Sequence, residues 1–242
     1  MEEVLKIAAV VAATTVGFTI AGVAGFGGGI VALPVLVWVF GIREAIPILS
    51  ISQLLSTVSR VGLHRDGLNW PVVRLFALGA LPFSVLGSFI FVSIDTTVLV
   101  RILGVMMLIF VVYTRMPIGR NFNMKLWGFV PLGVGTGFGS AFLGIPGPFA
   151  AVFYLAYGLS ASAYIGTSAL GMGMIQVPKL IIFGTSDLLS VRVLALGLGL
   201  GGIAAGSAYL GRIILRRVPE HVFPKIVTAL LLISGVVFLT NG

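Results

Sequence analysis

Cysteine is missing from the chain, which excludes disulfides, thiolate metal sites and a thiol nucleophile. The two histidines, His64 and His221, fall beside the ends of apolar stretches and not within one, so zinc chemistry and a Ser-His-Asp intramembrane hydrolase both lack their parts. Acidic side chains number 7 in 242 residues, and Glu44, Asp66, Asp95, Asp187 and Glu220 all sit near expected span ends. Proton relays and cation sites in transporters rely on buried Asp or Glu, so their absence favours anionic cargo. Charge of either sign is absent over residues 7–42, 75–94, 126–178 and 193–211. With 58% hydrophobic and 9% charged residues and a mean hydropathy of +1.16, the composition excludes a soluble catalytic or regulatory domain and describes a membrane protein. Nothing in it requires a cofactor or a metal, and no enzyme activity is expected.

The 15 basic residues, which give a net charge of +8, punctuate apolar runs and do not form a patch with interleaved aromatics. They read as topology signals and not as a nucleic-acid surface. The chain opens Met1-Glu2-Glu3, without a basic region, and the apolar run after Lys6 is too long for a secretory signal, so it is expected to be a first span.

A hydrocarbon core about 30 Å thick needs roughly 20 apolar residues per helix. Charges, prolines and glycines divide the chain into candidate segments at 4–24, 30–41, 44–63, 72–93 and 96–115, then 125–143, 148–158, 160–184, 188–212 and 221–240. The second segment of each set is too short to span comfortably. An internal repeat accounts for this recurrence. Gly25-Phe26-Gly27, Pro34 and Phe40-Gly41-Ile42 correspond to Gly137-Phe138-Gly139, Pro146 and Tyr157-Gly158-Leu159; Ser52-Gln53, Ala77-Leu78-Gly79 and Gly87-Ser88 correspond to Thr167-Ser168, Ala195-Leu196-Gly197 and Gly206-Ser207. The matches keep their order along the chain.

Three stretches are basic: Arg60 to Arg74, Arg115 to Lys125, and Arg212 to Lys225 with Arg216 and Arg217. Placing all three in the cytoplasm requires an even number of crossings between successive ones. That is met if the short segment crosses fully or turns back as a re-entrant hairpin with its predecessor. Both termini then lie outside, and the second copy is upside down relative to the first. The stretch from Gly184 to Arg192, equivalent to Arg60–Arg74, carries only Asp187 and Arg192, as the opposite face should. A single broken helix formed by each short segment with its predecessor would instead make the halves parallel.

The densest local signals are Gly22 to Gly29 with Pro34, and Gly133 to Gly139 with Ser140, Gly144, Pro146, Gly147 and Pro148. Such sequence is expected not to keep a regular helix, and broken backbone at membrane depth must be covered by protein or water. The amides that start the following half-helix carry partial positive charge and can bind an anion. Inverted copies would bring two such starts together near the midplane. The competing readings are a nucleotide-binding loop, which lacks its Lys-Ser/Thr ending, and glycines that only let helices approach, which fits Gly197, Gly201, Gly202, Gly206 and Gly211.

Segment 44–63 places Ser52, Gln53, Ser56, Thr57, Ser59 and Arg60 along one helical side. Its partner, 160–184, offers Ser162, Thr167, Ser168, Gln176 and Lys179. Each half thus supplies hydroxyls, an amide and one cation. Arg60 and Lys179 can equally snorkel to headgroups, and the hydroxyls can bond their own helix backbone.

Gly25-Phe26-Gly27-Gly28-Gly29-Ile30-Val31-Ala32-Leu33-Pro34, together with Gly137-Phe138-Gly139-Ser140 to Pro146 and Gly166-Thr167-Ser168, resembles the sulfite exporter TauE/SafE family of multi-pass membrane proteins, in which a Gly-rich stretch ending in Pro recurs in both halves. The likeness covers essentially the whole chain. Its second motif departs, with Ser140-Ala141 standing where Gly-Gly would follow Gly139. The resemblance implies transport of small sulfur-containing oxyanions such as sulfite, or of organosulfonates such as sulfoacetate, across the cytoplasmic membrane.

The expected molecule is therefore an all-α polytopic membrane protein of two inverted-topology repeats, residues 1–118 and 119–242, with broken or re-entrant helices. Its substrate site is expected between Gly27, Gly28, Gly29 with Pro34 and Gly139, Ser140 with Pro146, lined by Ser52, Gln53, Thr167, Ser168 and Gln176, with Arg60 and Lys179 drawing in the anion. The partners expected are a small anion and the lipid bilayer, not nucleic acid. The small-residue stripe on 188–212 suits packing within one chain or in a homodimer. An anion channel and a membrane assembly subunit are the rival classes.

Overall fold

The computed structural model describes residues 2–115, 123–143 and 147–214, together with helical residue 239. Among the described residues there are nine α-helices and no strand: α1 (Glu2–Ala24), α2 (Gly28–Phe40), α3 (Ile42–Leu63), α4 (Trp70–Ser93), α5 (Thr96–Arg115), α6 (Phe129–Leu143), α7 (Gly147–Ala156), α8 (Ala161–Thr185) and α9 (Val191–Ile214). Five of them are long and apolar enough to cross a membrane, within Glu2–Gly22, Ile42–Leu63, Trp70–Ser93, Ala161–Thr185 and Val191–Gly211. The expected segment 221–240 apart from residue 239, the basic stretches around Arg120 and Arg216, and His221 lie outside the described residues.

The distribution of polarity is that of a protein dissolved in lipid. Trp38, Leu86, Phe89, Ile109, Ile181 and Leu198 are exposed, whereas Ser52, Ser56, Thr57, Arg60, Thr167, Gln176 and Lys179 are buried. With hydrocarbon outside, apolar surface gains nothing by burial and polar groups are confined to the interior. The chain is an all-α, multi-pass membrane protein.

The short second segments are real: α2 has 13 residues and α7 has 10. At Gly41, with φ +73°, the chain turns directly from α2 into α3. α2 folds back on α1 as a hairpin, since a Cβ at Gly17 would meet the Gly28 carbonyl and Val31, and one at Gly28 would strike the Phe18 ring.

Contacts between the halves follow a reciprocal scheme: α1 packs on α9 while α6 packs on α4, α3 packs on α9 while α8 packs on α4, and α3 packs on α8. Ile51, Leu55 and Ser59 of α3 meet Gly197, Gly201 and Ala205 of α9 in ascending order, so these two run parallel. Asn69 and Phe76 likewise meet Thr167 and Gly171 in parallel. α3 and α8 run antiparallel: His64 lies on Gly166, Thr57 on Gly173 and Gln53 on Gln176. The α3–α4 linker therefore sits at the start of α8, where His64 Nδ1 is 2.9 Å from Ser162 Oγ, and the start of α9 sits at the start of α3, where Arg192 lies 3.8 Å from Glu44.

One expectation is corrected here. The motif of Gly133 to Gly139 with Ser140, Gly144, Pro146, Gly147 and Pro148 is expected not to keep a regular helix, yet its part from Gly133 to Ser140 is all helical within α6, which ends at Leu143 ahead of α7 at Gly147, and Gly22 and Ala24 are helical in α1. The cause is close approach. A Cβ at Gly133 or Gly137 would come within 2.2 or 2.3 Å of the Phe76 or Ala80 carbonyl oxygen, and one at Gly79 within 2.1 Å of Val130 O. These glycines let α4 and α6 touch backbone to backbone, a contact that offsets their poor helix propensity. Gly22 and Gly211 do the same between α1 and α9, against Ala208 and Thr19.

Candidate functional site

The first helix does break, between Ala24 and Gly28. Gly25 and Gly27 have φ of +76° and +115°, a left-handed backbone that L side chains rarely adopt. Gly27 then caps α2 with no side chain to offer, and Gly28 and Gly29 form its buried first turn. Their amides, with that of Ile30, precede the first intrahelical bond and form the partially positive helix start anticipated from the motif. Pro34 is not at the break; it lies buried inside α2, next to Leu33 of the apolar cluster.

The break is held by two side chains. Arg60 Nη1 of α3 donates to the Gly25 carbonyl at 2.8 Å, and the Tyr164 hydroxyl of α8 donates to the Ala24 carbonyl at 3.0 Å. The Tyr164 ring lies against Gly25 so closely that a Cβ there would be 2.8 Å from it. Arg60 is 6% exposed, and its buried Nε finds no partner among the described residues. Tyr164 was not among the residues expected from the motifs. A tyrosine in a span signals nothing until the fold shows that it crosses to the other half.

Lys179 plays the corresponding part in the second half. It is 0% exposed, and its Nζ donates to the Ser140 carbonyl at 2.9 Å, in the last turn of α6. In each half, then, a buried cation of the third helix, Arg60 or Lys179, reaches a carbonyl at the C-terminal end of the first helix, where the dipole is negative. No carboxylate lies within ion-pair distance of Arg60 or Lys179 among the described residues; the ion pairs found there are Lys6–Glu2, Arg65–Asp66 and Arg192–Glu44.

Between the cations lies the α3/α8 crossing. Gln176 Nε2 donates to Gln53 Oε1 at 2.6 Å, and Gly173 brings α8 against Thr57. The Ser56 hydroxyl and Gln176 Oε1 are buried there without partners among the described residues. Since the helices are antiparallel, Arg60 and Lys179 fall on opposite sides of this crossing, about 14 Å apart along the helix axes at 1.5 Å per residue.

The remaining expected residues are placed as follows. Ser52 faces α9, donating to Ile48 and Gly197 carbonyls. Thr167 accepts from the Asn69 amide, and the Ser168 and Ser140 hydroxyls donate to the Ile165 and Gly137 carbonyls of their own helices. Gly139 is buried within α6, with Met106 nearest. Pro146 lies outside the described residues. The fold thus gathers Gln53, Gln176 and the two cations on one antiparallel helix pair, and it turns Ser52 and Thr167 towards the helices alongside.

A glycine-broken hairpin, a buried polar helix pair and two buried cations with no carboxylate partner among the described residues thus lie inside a membrane protein. The model of the family described as Sulfite exporter TauE/SafE matches residues 9–238. The chain belongs to that family. No curated protein and no solved structure matches it. As a TauE/SafE member it falls in a family of membrane transporters, and the family match runs through both Gly-rich motifs and both cation-bearing helices.

Proposed function

We propose that this TauE/SafE protein moves small sulfur-containing oxyanions, such as sulfite or organosulfonates of the sulfoacetate kind, out across the cytoplasmic membrane by alternating access. The observation that carries the reading is the pair Arg60 and Lys179, each buried, each bonded to one backbone carbonyl, with no carboxylate beside either among the described residues. A buried charge without a counter-charge is costly, and an anion with several oxygens relieves that cost at one position and then the other as it passes. Guanidinium and ammonium donors, the Ser56 hydroxyl and the first-turn amides of α2 suit sulfonate or sulfite oxygens. The lack of intramembrane acids argues against cation cargo.

Two inverted repeats, 1–118 and 119–242, supply the machinery in this reading. The antiparallel crossing of the equivalent helices α3 and α8 and the placing of the two linkers at opposite ends of that pair support inversion. The site lies where the repeats meet, so exchange of their arrangements switches which side is open. The cytoplasmic face is then the one bearing Arg65. Moving one negative charge outward down an inside-negative potential yields roughly 2.3 kcal/mol per 100 mV, enough to drive a uniporter.

The test is flux in proteoliposomes offered sulfite, sulfate, thiosulfate, sulfoacetate and simple carboxylates. Saturable movement of a sulfur oxyanion is expected, with Arg60→Gln and Lys179→Gln each lowering it about tenfold or more, the loss of one charge-assisted bond at about 1.5–3 kcal/mol. Unsaturable currents would make it a channel. Unchanged flux in both variants would remove the cations from the site.

A further inference from the structure

A cavity lies away from the α3/α8 pair, where the chain enters α6. Its volume is about 560 Å³, and it is lined by Asn123, Met124, Lys125, Trp127, Gly128, Pro131, Leu132 and Phe153. Its two sides differ in chemistry. Met124 and Leu132 are buried and join the apolar cluster of α6, α7 and α8, on which Phe153 also packs, and so they form an oily floor. Asn123, Lys125 and Trp127 are exposed and form a polar rim. No acidic residue lines it among the described residues.

The walls are fixed by backbone. The Met124 amide donates to the Ala156 carbonyl at the end of α7, and Gly128 closes a short turn on Lys125. A Cβ at Gly128 would lie 2.7 Å from Met124, so glycine is what lets that side chain lie across the floor. The cavity sits at the boundary between a charged linker and an apolar helix, the depth at which Trp and Lys meet headgroups. The sequence leading into it, Arg115 to Lys125, carries three basic residues and no acid. Basic pockets between membrane helices at such an interface suit anionic headgroups, with an acyl chain on the apolar side.

We propose that this groove holds an anionic phospholipid, its phosphate at Lys125 and Asn123 and one acyl chain over Met124, Leu132 and Phe153. The rim carries the cation Lys125 and the indole of Trp127, and the floor is apolar. The inference does not depend on what the protein transports, and its test needs no flux.

With Trp38→Phe and Trp70→Phe leaving Trp127 as the single indole, the full chain is placed in vesicles containing brominated phosphatidylglycerol or brominated phosphatidylcholine, and Trp127 quenching is followed against lipid mole fraction. Half-quenching at about fivefold lower mole fraction of phosphatidylglycerol is expected, the effect of one Lys on an anionic lipid. Lys125→Glu should erase the preference and Lys125→Arg should keep it, while quenching by phosphatidylcholine stays unchanged in both. Equal quenching by the two lipids in the parent chain means ordinary lipid solvation only and overturns the proposal. A preference that survives Lys125→Glu overturns it equally.

Discussion

Gln53 and Gln176 join the two halves of the chain side chain to side chain, at 2.6 Å, in the middle of the antiparallel α3/α8 pair. The bond lies between the levels of Arg60 and Lys179, so any rearrangement of one half against the other acts on it. Replacing Gln176 with Leu removes the donor and fills its space with hydrocarbon. Interhelical hydrogen bonds in membranes contribute about 0.6 kcal/mol on average and up to about 1.7. A loss of stability in that range is expected, read as a small drop in unfolding midpoint in detergent. Sulfite flux should fall by more than the stability change accounts for. A variant with parental flux would reduce Gln176 to a packing residue.

The seam between α4 and α6 makes a sharper stability test. A Cβ at Gly137 would sit 2.3 Å from the Ala80 carbonyl oxygen, whereas one at Gly135 meets nothing within 4 Å. Gly137→Ala must push two helix backbones apart and is expected to cost about 2 kcal/mol or more, in the manner of overpacking. Gly135→Ala, two residues away on the same helix, should be neutral or stabilising by up to about 1 kcal/mol through helix propensity. Thermal unfolding of the two purified variants decides it: equal midpoints would mean that the seam is not close-packed.

These glycines also explain why the fold was more legible in sequence than the site. Charge spacing and span length placed every described helix to within a few residues, because lipid thickness and headgroup position constrain them directly. The break at Gly25–Gly27 was readable because a Gly-Phe-Gly run has no stable alternative there, while Gly133–Ser140 has the same composition and stays helical. The difference lies in the α4 backbone beside it, which is a tertiary fact. Snorkelling left the burial of Arg60 and Lys179 open, but Gln53 and Gln176 were legible as sheltered groups, because polar side chains in an otherwise apolar span must be kept from lipid. Tyr164 and Arg43 were not, since both act through backbone carbonyls of helices distant in sequence.

Arg43 reaches the C-terminal end of α4, where it donates to the carbonyls of Phe91 and Val92 at 2.9 Å each and to that of Ile94. A guanidinium with parallel donors satisfies several orphan carbonyls at the negative end of a helix, which a single ammonium cannot match. Arg43→Gln is expected to lower stability by about 1.5–3 kcal/mol, as for bonds to a charged group. Arg43→Lys should recover less than half of this. Half-saturation for sulfite should not move in either variant. A shift in half-saturation would place Arg43 in the anion path and not at a helix cap.

Tyr164 offers a way to observe the break itself. It belongs to the second half yet bonds Ala24 in the first, beside the carbonyl that Arg60 holds. If alternating access moves the halves relative to each other, this bond exists in one arrangement and not in the other. Tyr164→Phe keeps the ring against Gly25 and removes only the hydroxyl, withdrawing about 0.5–1.5 kcal/mol from the arrangement seen here and shifting its population roughly two- to tenfold. The chain has no cysteine of its own, so Phe26→Cys gives a single thiol in the break. Maleimide labelling of that thiol is expected to speed up by the same factor in the Tyr164→Phe background, and anion binding should move the rate in both backgrounds. If the hydroxyl makes no difference to labelling, Tyr164 is only a wall for Gly25, and the break does not change between the states of the transport cycle.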